Sequence, residues 1–233
     1  MPSRNSIVIA IVLVAAISAT GLNLYLSDLK ANQLDPVEVA EYQGERLGSI
    51  SDFRENSIKG PQYIDTGAYR LSVTGLVERP RNYTYAEVLE SQESYRKVVT
   101  INCVEGWSVK ILWEGVKVVD LLEAAGVSPD AKIVIFHAED GYTSSLPLDY
   151  LASNDILMAH KMNDVVIPPE RGFPFQLVAE SKWGYKWVKW ITGIEVSDQE
   201  DYRGFWESRG YSNDADLDES FFERRAGADT GGG

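Results

Sequence analysis

The sequence has few of the residues that most protein metal sites use. It contains one cysteine and two histidines in 233 residues, which excludes an internal disulfide and a zinc site with several cysteine ligands. Cationic residues are also scarce, since 22 Lys and Arg stand against 35 Asp and Glu, and the formal net charge is −13. Such an acidic surface repels nucleic acid, so we expect no nucleic-acid partner. The chain is long enough to bury a hydrophobic core without disulfides.

A long uncharged run lies near the N-terminus. Residues 7–26 contain no charged side chain and are long enough to cross a bilayer as a helix. We interpret residues 1–27 as a transmembrane anchor, with a cleaved signal peptide as the alternative. Arg4 precedes the run and mostly acidic residues follow it, so the positive-inside rule predicts a domain on the extracytoplasmic side, or a secreted one after cleavage. No arginine pair precedes the run, so a twin-arginine export signal is not evident.

Composition divides the remaining chain into three parts. Residues 28–49 are polar, contain glycine and proline breakers, and predict a tether. Residues 50–198 contain the apolar and β-branched runs, which predict many short strands and a few short helices. The fold class is therefore α+β and mostly β, in a domain that we expect to be monomeric. Residues 199–233 form an acidic, aromatic C-terminal extension whose glycine end should fray.

The single cysteine, Cys103, follows directly after a β-branched, apolar run. Residues 96–102 predict a buried strand, and Glu105 and Gly106 belong to the turn that follows it. A thiol at a strand end could form a bond to a metal. A lone cysteine is, however, more often an inert, small hydrophobic residue. Taken alone, Cys103 leaves both interpretations open.

Lysine and tryptophan are concentrated in one segment of this acidic chain, residues 182–190, KWGYKWVKW. A phosphate-bearing aromatic cofactor would use cations for its phosphate and flat rings for its bicycle. Alternatively, the lysines form the solvent face of a half-buried strand and the tryptophans form its core side. Just before this segment, residues 168–174 contain three prolines, which remove strand hydrogen-bond donors and predict an ordered loop.

Four motifs resemble the oxidoreductase molybdopterin-binding domain of the sulfite oxidase superfamily. They are CVEGWS from Cys103, Trp113, PPERG at residues 168–172 and GYKWVK at residues 184–189. The resemblance covers about residues 50–198, and the cysteine turn is very similar to that of the catalytic subunits of bacterial periplasmic methionine-sulfoxide reductases. It implies a sulfite-oxidase-type fold and an oxidoreductase whose molybdenum is bound by one molybdopterin and one protein thiolate.

The resemblance also implies the residues of the site. Cys103 is implied as the molybdenum ligand, which agrees with the preference of soft metals for thiolate. Arg171 is implied as a pterin contact, and the segment that receives the pterin phosphate, with Lys189 as its cation, comprises Lys186, Trp187, Val188 and Lys189. Further candidate pterin contacts precede the first long strand and are Phe53, Arg54 and Asn56.

Two further residues are candidates for the catalytic side of the site. Glu105 could relay protons, although a salt bridge is the alternative role. Tyr142 could contact the substrate, although its hydroxyl could instead cap a turn. The histidines lie in apolar runs and are predicted to be core residues.

Departures from the family pattern bear on the substrate. Gln176 stands where an arginine is usual, Arg171 stands where histidine or asparagine is usual, and Glu105 lies where sulfite oxidases have basic residues. A carboxylate near the metal disfavours an anion such as sulfite. We therefore expect two-electron oxygen-atom transfer with a neutral small-molecule oxo-substrate such as a sulfoxide. The alternative is a non-catalytic, membrane-anchored binding module.

The electron partner is predicted from what the chain lacks. No Cys-x-x-Cys-His motif for haem attachment is present, since the sequence has one cysteine. One-electron steps therefore require a separate protein, and we expect a cytochrome or a membrane haem protein.

Overall fold

Short strands and loops make up most of the structure. The computed structural model describes residues 37–223, so the predicted anchor, residues 1–27, lies outside it, as do residues 224–233. In this part of the chain, no helix is long and apolar enough to cross a membrane. The described residues contain mostly strands with a few short helices, which confirms the prediction of an α+β, mostly β fold.

The elements are numbered in chain order over residues 37–223. The strands are β1 (Glu41–Tyr42), β2 (Glu45–Arg46), β3 (Leu71–Gly75), β4 (Arg81–Tyr83), β5 (Tyr95–Asn102), β6 (Ser108–Lys117), β7 (Ile133–Ala138), β8 (Thr143–Pro147), β9 (Leu157–Met162), β10 (Val165–Val166), β11 (Gln176–Val178) and β12 (Ile191–Ser197). The α-helices are α1 (Tyr85–Ser91), α2 (Val118–Ala125) and α3 (Leu148–Ser153). Single 3-10 turns occupy Ile50–Asp52, Pro169–Arg171, Gly184–Lys186 and Glu207–Arg209.

The longer strands form two five-stranded sheets. The first has the order β10-β9-β6-β5, with β11 also paired to β9, and all of these pairs are antiparallel. The second has the order β4-β3-β12-β7-β8, in which β3 and β12 are parallel and the other pairs are antiparallel. Both sheets contribute to one hydrophobic core, with Ile111 and Trp113 from the first and Phe136 and Ile194 from the second.

Side-chain alternation explains why β5 forms where it does. Val99 and Ile101 are buried on one face of the strand, and β-branched residues fit the pleated backbone well. The strand ends at Asn102, so Cys103 is the first residue of the following turn. This confirms the predicted strand and its end at the cysteine, although only one face of the strand is buried.

The loops at the strand ends build the functional site. Residues 182–190 connect β11 to β12 and contain a 3-10 turn, and Lys182 and Lys186 in this segment are buried. The alternative in which its lysines form the solvent face of a strand is therefore wrong. An isolated parallel bridge between Asn102 and Trp183 joins this loop to the end of β5. The fold thus brings the lysine–tryptophan segment to the cysteine.

Both flanks of the predicted domain contact it within the described residues. In the predicted tether, β1 and β2 form a hairpin, and the Gly48 N–H donates to the Lys110 carbonyl at 2.8 Å. In the predicted C-terminal extension, the Phe205 N–H donates to the Thr143 carbonyl of β8 at 2.9 Å. The predicted domain boundaries remain predictions, but both flanks are hydrogen-bonded to strands of the predicted domain.

Candidate active site

A cavity of about 270 Å³ lies beside Cys103. This volume is close to the lower end of the roughly 300–1,000 Å³ that is typical of small-molecule sites. Most of its wall comes from loops at strand ends, where side chains can point inward without interrupting a sheet. The lining positions lie within residues 53–58, 101–107, 140–142, 170–176, 184–190 and 206–211.

Cys103 is held in a tight turn at the cavity wall. Its N–H donates to the Trp107 carbonyl at 2.9 Å, and the Gly106 N–H donates to the Cys103 carbonyl at 3.0 Å. The residue is 8% exposed, and burial raises the pKa of its thiol, while a backbone hydrogen bond from Glu105 partly opposes this rise. A bound metal deprotonates a thiol. Burial therefore disfavours a free thiolate here, and a bound metal would oppose that effect.

The lysine–tryptophan segment approaches the cysteine turn at Gly184. A Cβ atom at position 184 would lie 3.2 Å from the Asn102 carbonyl oxygen and 3.5 Å from the Cys103 Cα. The first distance is tight for carbon and oxygen, so a side chain here would push the two loops apart. Glycine therefore lets the two segments meet at the cavity.

Three cations line the cavity of this acidic protein, namely Arg54, Arg171 and Lys189. Arg171 donates to the Phe53 carbonyl at 2.9 Å, and its guanidinium lies 5.3 Å from the centre of the Phe53 ring. Burial lowers the pKa values of both Arg171 and Lys189, and the carboxylate of Glu55 opposes this effect, at 3.2 Å from the Lys189 amine. Cations that are partly desolvated in this way bind an anionic group strongly.

Two predicted cofactor residues do not line the cavity. Lys186 is 0% exposed, and its amine lies 2.7 Å from a Glu207 carboxylate oxygen and 3.0 Å from the Ser145 carbonyl. Burial lowers the pKa of Lys186, and Glu207 opposes that shift. Val188 is buried, and its carbonyl accepts the Leu177 N–H at 2.8 Å. Both residues support the wall from behind, whereas Trp187 and Lys189 line it.

Glu105 connects the cysteine turn to the segment that precedes the first long strand. Its carboxylate accepts hydrogen bonds from the Asn56 amide at 3.2 Å and from the Trp107 indole N–H at 3.1 Å. Among residues 37–223, no cation lies within ion-pair distance of this carboxylate. The structure thus brings Phe53, Arg54, Asn56 and Glu105 to one cavity, although Asn56 and Glu105 lie 49 positions apart.

Tyr142 lines the cavity, but its hydroxyl already has a partner. The hydroxyl donates to the Tyr185 carbonyl at 2.6 Å, and the Tyr142 N–H donates to the Asp140 carboxylate at 2.9 Å. Burial raises the pKa of Tyr142 well above its usual value, and the charge of Glu207 adds to this rise. The hydroxyl is therefore protonated, and it holds the backbone beside Gly184 in place.

Sequence reasoning did not assign several residues that line the cavity: Ser57, Asp140, Trp206 and Tyr211. Gln176, which also lines it, was noted only as a departure from the family pattern. Asp140 is 2% exposed, and the Asp-Gly pair after β7 was the signal that could have indicated it. Ser57 Oγ and Gln176 Oε1 are buried and have no hydrogen-bond partner among the described residues. Unpaired buried polar atoms are costly, so a polar ligand that pairs with them fits this cavity. Together these groups match a cofactor that contains a metal, a phosphate and a pterin. The thiol suits the metal, the cations suit the phosphate, and the unpaired polar atoms suit the pterin.

A family model described as the oxidoreductase molybdopterin binding domain matches residues 58–206. The chain belongs to this family. It is therefore a molybdenum-dependent oxidoreductase of the sulfite oxidase superfamily, and its cofactor is molybdopterin-bound molybdenum. The resemblance that the four motifs indicated is confirmed.

Relatives of known sequence agree with the family assignment, and a solved structure agrees with the fold. An uncharacterized oxidoreductase of Bacillus subtilis, YuiH, is 38% identical over 65% of this chain and 76% of its own length. The protein-methionine-sulfoxide reductase catalytic subunit MsrP of Gluconobacter oxydans is 28% identical over 57% of this chain and 48% of its own length. The sulfane dehydrogenase SoxCD of Paracoccus pantotrophus has a similar fold, with a TM-score of 0.61, 24% identity, and coverage of 69% of this chain and 44% of that one.

Proposed function

We propose that this molybdopterin oxidoreductase transfers an oxygen atom and two electrons at a molybdenum bound by Cys103, and that it reduces a neutral, sulfoxide-type substrate. One observation carries the proposal: the only cysteine of the chain lines the same cavity as Arg171 and Lys189. The name of the MsrP relative supports a sulfoxide as the substrate class.

In this proposal, one part of the cavity wall binds the cofactor. Lys189 and Arg171 bind the cofactor phosphate, and the unpaired atoms of Ser57 and Gln176 form hydrogen bonds to the pterin. The aromatic residues Trp187 and Phe53 provide flat apolar surface beside them. Once bound, the molybdopterin–molybdenum group supplies two-electron oxygen-atom transfer, while the protein supplies binding, orientation and charge.

Carboxylates in the wall favour a neutral substrate. Glu105 lies two positions from Cys103, and the buried Asp140 also lines the cavity. Negative charge repels sulfite but leaves a neutral sulfoxide unaffected. In the reduction, the sulfur–oxygen bond breaks, sulfur gains two electrons, and the oxygen leaves as water with two protons. Glu105 is our candidate for relaying a proton, and Tyr142 is our candidate for contacting the substrate.

The electrons come from a separate protein in this proposal. The sequence has no cysteines beyond Cys103, and so no thiolates for an additional iron–sulfur cluster or attached haem. We propose a cytochrome or a membrane haem protein as the electron partner. A test is to mix the purified holoenzyme with a reduced membrane fraction and to follow haem oxidation spectroscopically when a sulfoxide is added. Haem that stays reduced would contradict this choice of partner.

We also propose that residues 1–27 anchor the protein in the membrane, with the enzyme domain on the extracytoplasmic side. The uncharged run and the acidic residues after it support this orientation. Protease treatment of intact cells, spheroplasts and permeabilised cells is the test. We expect digestion without permeabilisation of the inner membrane, whereas protection until permeabilisation would contradict the orientation.

Metal analysis and a substrate screen test the central proposal. Protein purified from cells that make molybdopterin is expected to contain about one molybdenum per chain, since one thiolate binds one metal. With a reduced viologen dye as electron donor, we expect turnover of sulfoxides in preference to nitrate and N-oxides. With an oxidised dye as electron acceptor, we expect no oxidation of sulfite. Protein that contains molybdenum but turns over none of these compounds would favour the non-catalytic binding module instead.

A further inference from the structure

The chain returns to the cavity after its last strand. Trp206 and Tyr211, which follow β12, both line the cavity beside Cys103. The family match ends at Trp206, so Tyr211 lies beyond the matched residues. We call residues 204–212 the aromatic segment. This segment adds surface to a site whose other lining residues all lie before residue 191.

Buried contacts fix the aromatic segment to β8 of the second sheet and to the loop before β12. Glu207 is 1% exposed, and one of its carboxylate oxygens accepts from Lys186 at 2.7 Å and from the Ser144 hydroxyl at 2.5 Å. Gly204 packs so closely on β8 that a Cβ there would lie 2.7 Å from the Ser144 Cα. A segment held by a buried ion pair and by backbone packing presents its side chains in a fixed position.

Edge-to-face and tilted ring contacts connect the aromatic segment to the cysteine turn. The Tyr211 ring lies 5.2 Å from the Trp206 ring and 5.2 Å from the Tyr185 ring. The Tyr185 hydroxyl donates to the Ser212 carbonyl at 2.8 Å, and Tyr185 directly follows Gly184, which abuts Cys103. Trp206 and Tyr211 therefore belong to the cysteine side of the cavity.

Lys189 and Arg171, two of the three cations of the cavity, are held by residues outside the aromatic segment. Lys189 contacts Glu55 and the Trp190 ring, and Arg171 contacts Phe53. None of these residues belongs to the aromatic segment. When an anionic cofactor occupies the cationic part, the aromatic segment is one part of the wall that remains for a substrate. Its rings offer apolar surface and favourable contacts to sulfur, and they offer no positive charge to an anion.

We propose that Trp206 and Tyr211 bind the substrate and set specificity for sulfoxides with bulky apolar substituents. This inference rests on the proposed sulfoxide reduction. An aromatic ring gains more from a large apolar substituent than from a methyl group, because contact area sets the hydrophobic gain. The two residues therefore discriminate between methyl p-tolyl sulfoxide and dimethyl sulfoxide, and they do not take part in metal binding.

The test uses molybdenum-loaded full-length protein and the variants Trp206→Ala and Tyr211→Ala. Each is expected to raise KM for methyl p-tolyl sulfoxide about tenfold, with a change of less than about threefold for dimethyl sulfoxide and in kcat. Phe222→Ala is the matched control, because Phe222 packs 5.0 Å from Tyr211 in the same ring cluster but does not line the cavity. We expect it to leave both KM values unchanged.

Binding without turnover separates this inference from the proposed reaction. Calorimetry with methyl p-tolyl sulfoxide, in the absence of reductant, is expected to show a roughly tenfold rise in Kd for Trp206→Ala at unchanged molybdenum content. Unchanged KM and Kd in both alanine variants would overturn the role of the segment, even if the enzyme reduces sulfoxides. If the alanine variants raise the Kd but the wild type does not reduce sulfoxides, the result contradicts the proposed reaction and leaves the role of the segment in binding intact. If Trp206→Ala lowers the melting temperature, Trp206→Leu is expected to give the same selective loss in a folded protein.

Discussion

At the scale of single residues, burial and the nearest carboxylate distinguish the roles of two neighbouring lysines. Lys186 and Lys189 lie three positions apart, and burial lowers the pKa of both, yet they have different partners. Lys186 is paired with a buried carboxylate, while Lys189 lines the cavity beside an exposed one. Of the two lysines, Lys189 is the one whose charge is available to a cofactor phosphate.

Replacing Cys103 is expected to separate metal binding from folding. Cys103→Ser removes the thiolate that we propose as the molybdenum ligand, so turnover should fall by more than about 100-fold, because changes even to residues beside metal ligands cost about 10–100-fold. The free energy of unfolding of the apoprotein should fall by less than about 1.5 kcal/mol, since the hydroxyl is nearly isosteric. Viologen-linked turnover, metal analysis and urea unfolding measure the three quantities. A Cys103→Ser variant with full turnover would exclude the proposed ligand.

His160 is expected to make the domain less stable in mild acid. Burial on β9 lowers the pKa of His160 below its usual 6.5, with Lys161 adding to the effect and Glu114 opposing it. Between the folded and unfolded pKa values the unfolded chain binds more protons, so stability falls as the pH decreases from about 6.5 towards the folded pKa. Above that window the residue contributes no pH dependence.

The measurement is urea unfolding at several pH values for the wild type and His160→Gln. We expect the variant to lose the part of the acid destabilisation that lies just below pH 6.5, because glutamine does not titrate. His137→Gln is the control, because it removes an imidazole at another position. This variant should still lose stability just below pH 6.5, as the wild type does. Identical pH profiles for the wild type and His160→Gln would contradict the assignment.

At the scale of elements, close backbone contacts attach residues 199–223 to the second sheet. A Cβ at Gly204 would overlap the Thr143 carbonyl and lie 2.7 Å from the Ser144 Cα, so no side chain fits there. Neither atom belongs to a flexible side chain, and the segment itself would have to move. The close packing of the aromatic segment on β8 therefore requires glycine at position 204.

Gly204→Ala is expected to loosen this attachment. Overpacking of this kind costs about 1–3 kcal/mol of the free energy of unfolding, and the C-terminal segment should become sensitive to limited proteolysis. Gly67→Ala is the matched control, because the nearest atom to a Cβ there is a flexible Asp65 carboxylate oxygen at 3.4 Å. Thermal unfolding and a time course of proteolysis measure the effect. Equal stability and equal cleavage in the two variants would show that the segment adjusts without cost.

At the scale of the whole molecule, the fold gathers positive charge into one cavity of an acidic protein. Arg54, Arg171 and Lys189 come from three separate segments and line this cavity, although the formal net charge is −13. Like charges brought together repel each other, and buried polar atoms without partners add to the cost. The protein without its cofactor should accordingly be less stable than the holoprotein.

Removal of the cofactor is expected to lower the melting temperature by about 10 °C. A ligand present at about 1,000 times its Kd adds about 4 kcal/mol to the free energy of unfolding, which corresponds to this shift for a domain of this size. Protein from cells unable to make molybdopterin should be compared with the holoprotein by scanning calorimetry. Equal melting temperatures would argue that the cavity does not hold a tightly bound group.

The sequence alone determined the strand before the cysteine and the family. Residues 96–102 predict a strand through β-branched, apolar side chains, and β5 ends at Asn102, immediately before Cys103. Such predictions succeed because strand formation and turn formation depend on neighbouring residues. The order of the cysteine turn, the proline loop and the lysine–tryptophan segment was likewise sufficient to indicate the molybdopterin-binding domain, which the family match confirms.

Only the tertiary structure decided which side chains face the cavity. Lys186 was predicted to contact the cofactor, but a carboxylate 21 positions later, Glu207, pairs with it in the interior. Trp206 and Tyr211 were assigned to a C-terminal extension, yet they line the cavity beside Cys103. These outcomes depend on contacts between segments far apart in the chain. No local pattern of residue types encodes them, because the same lysine or tryptophan has a different role when a distant partner buries it.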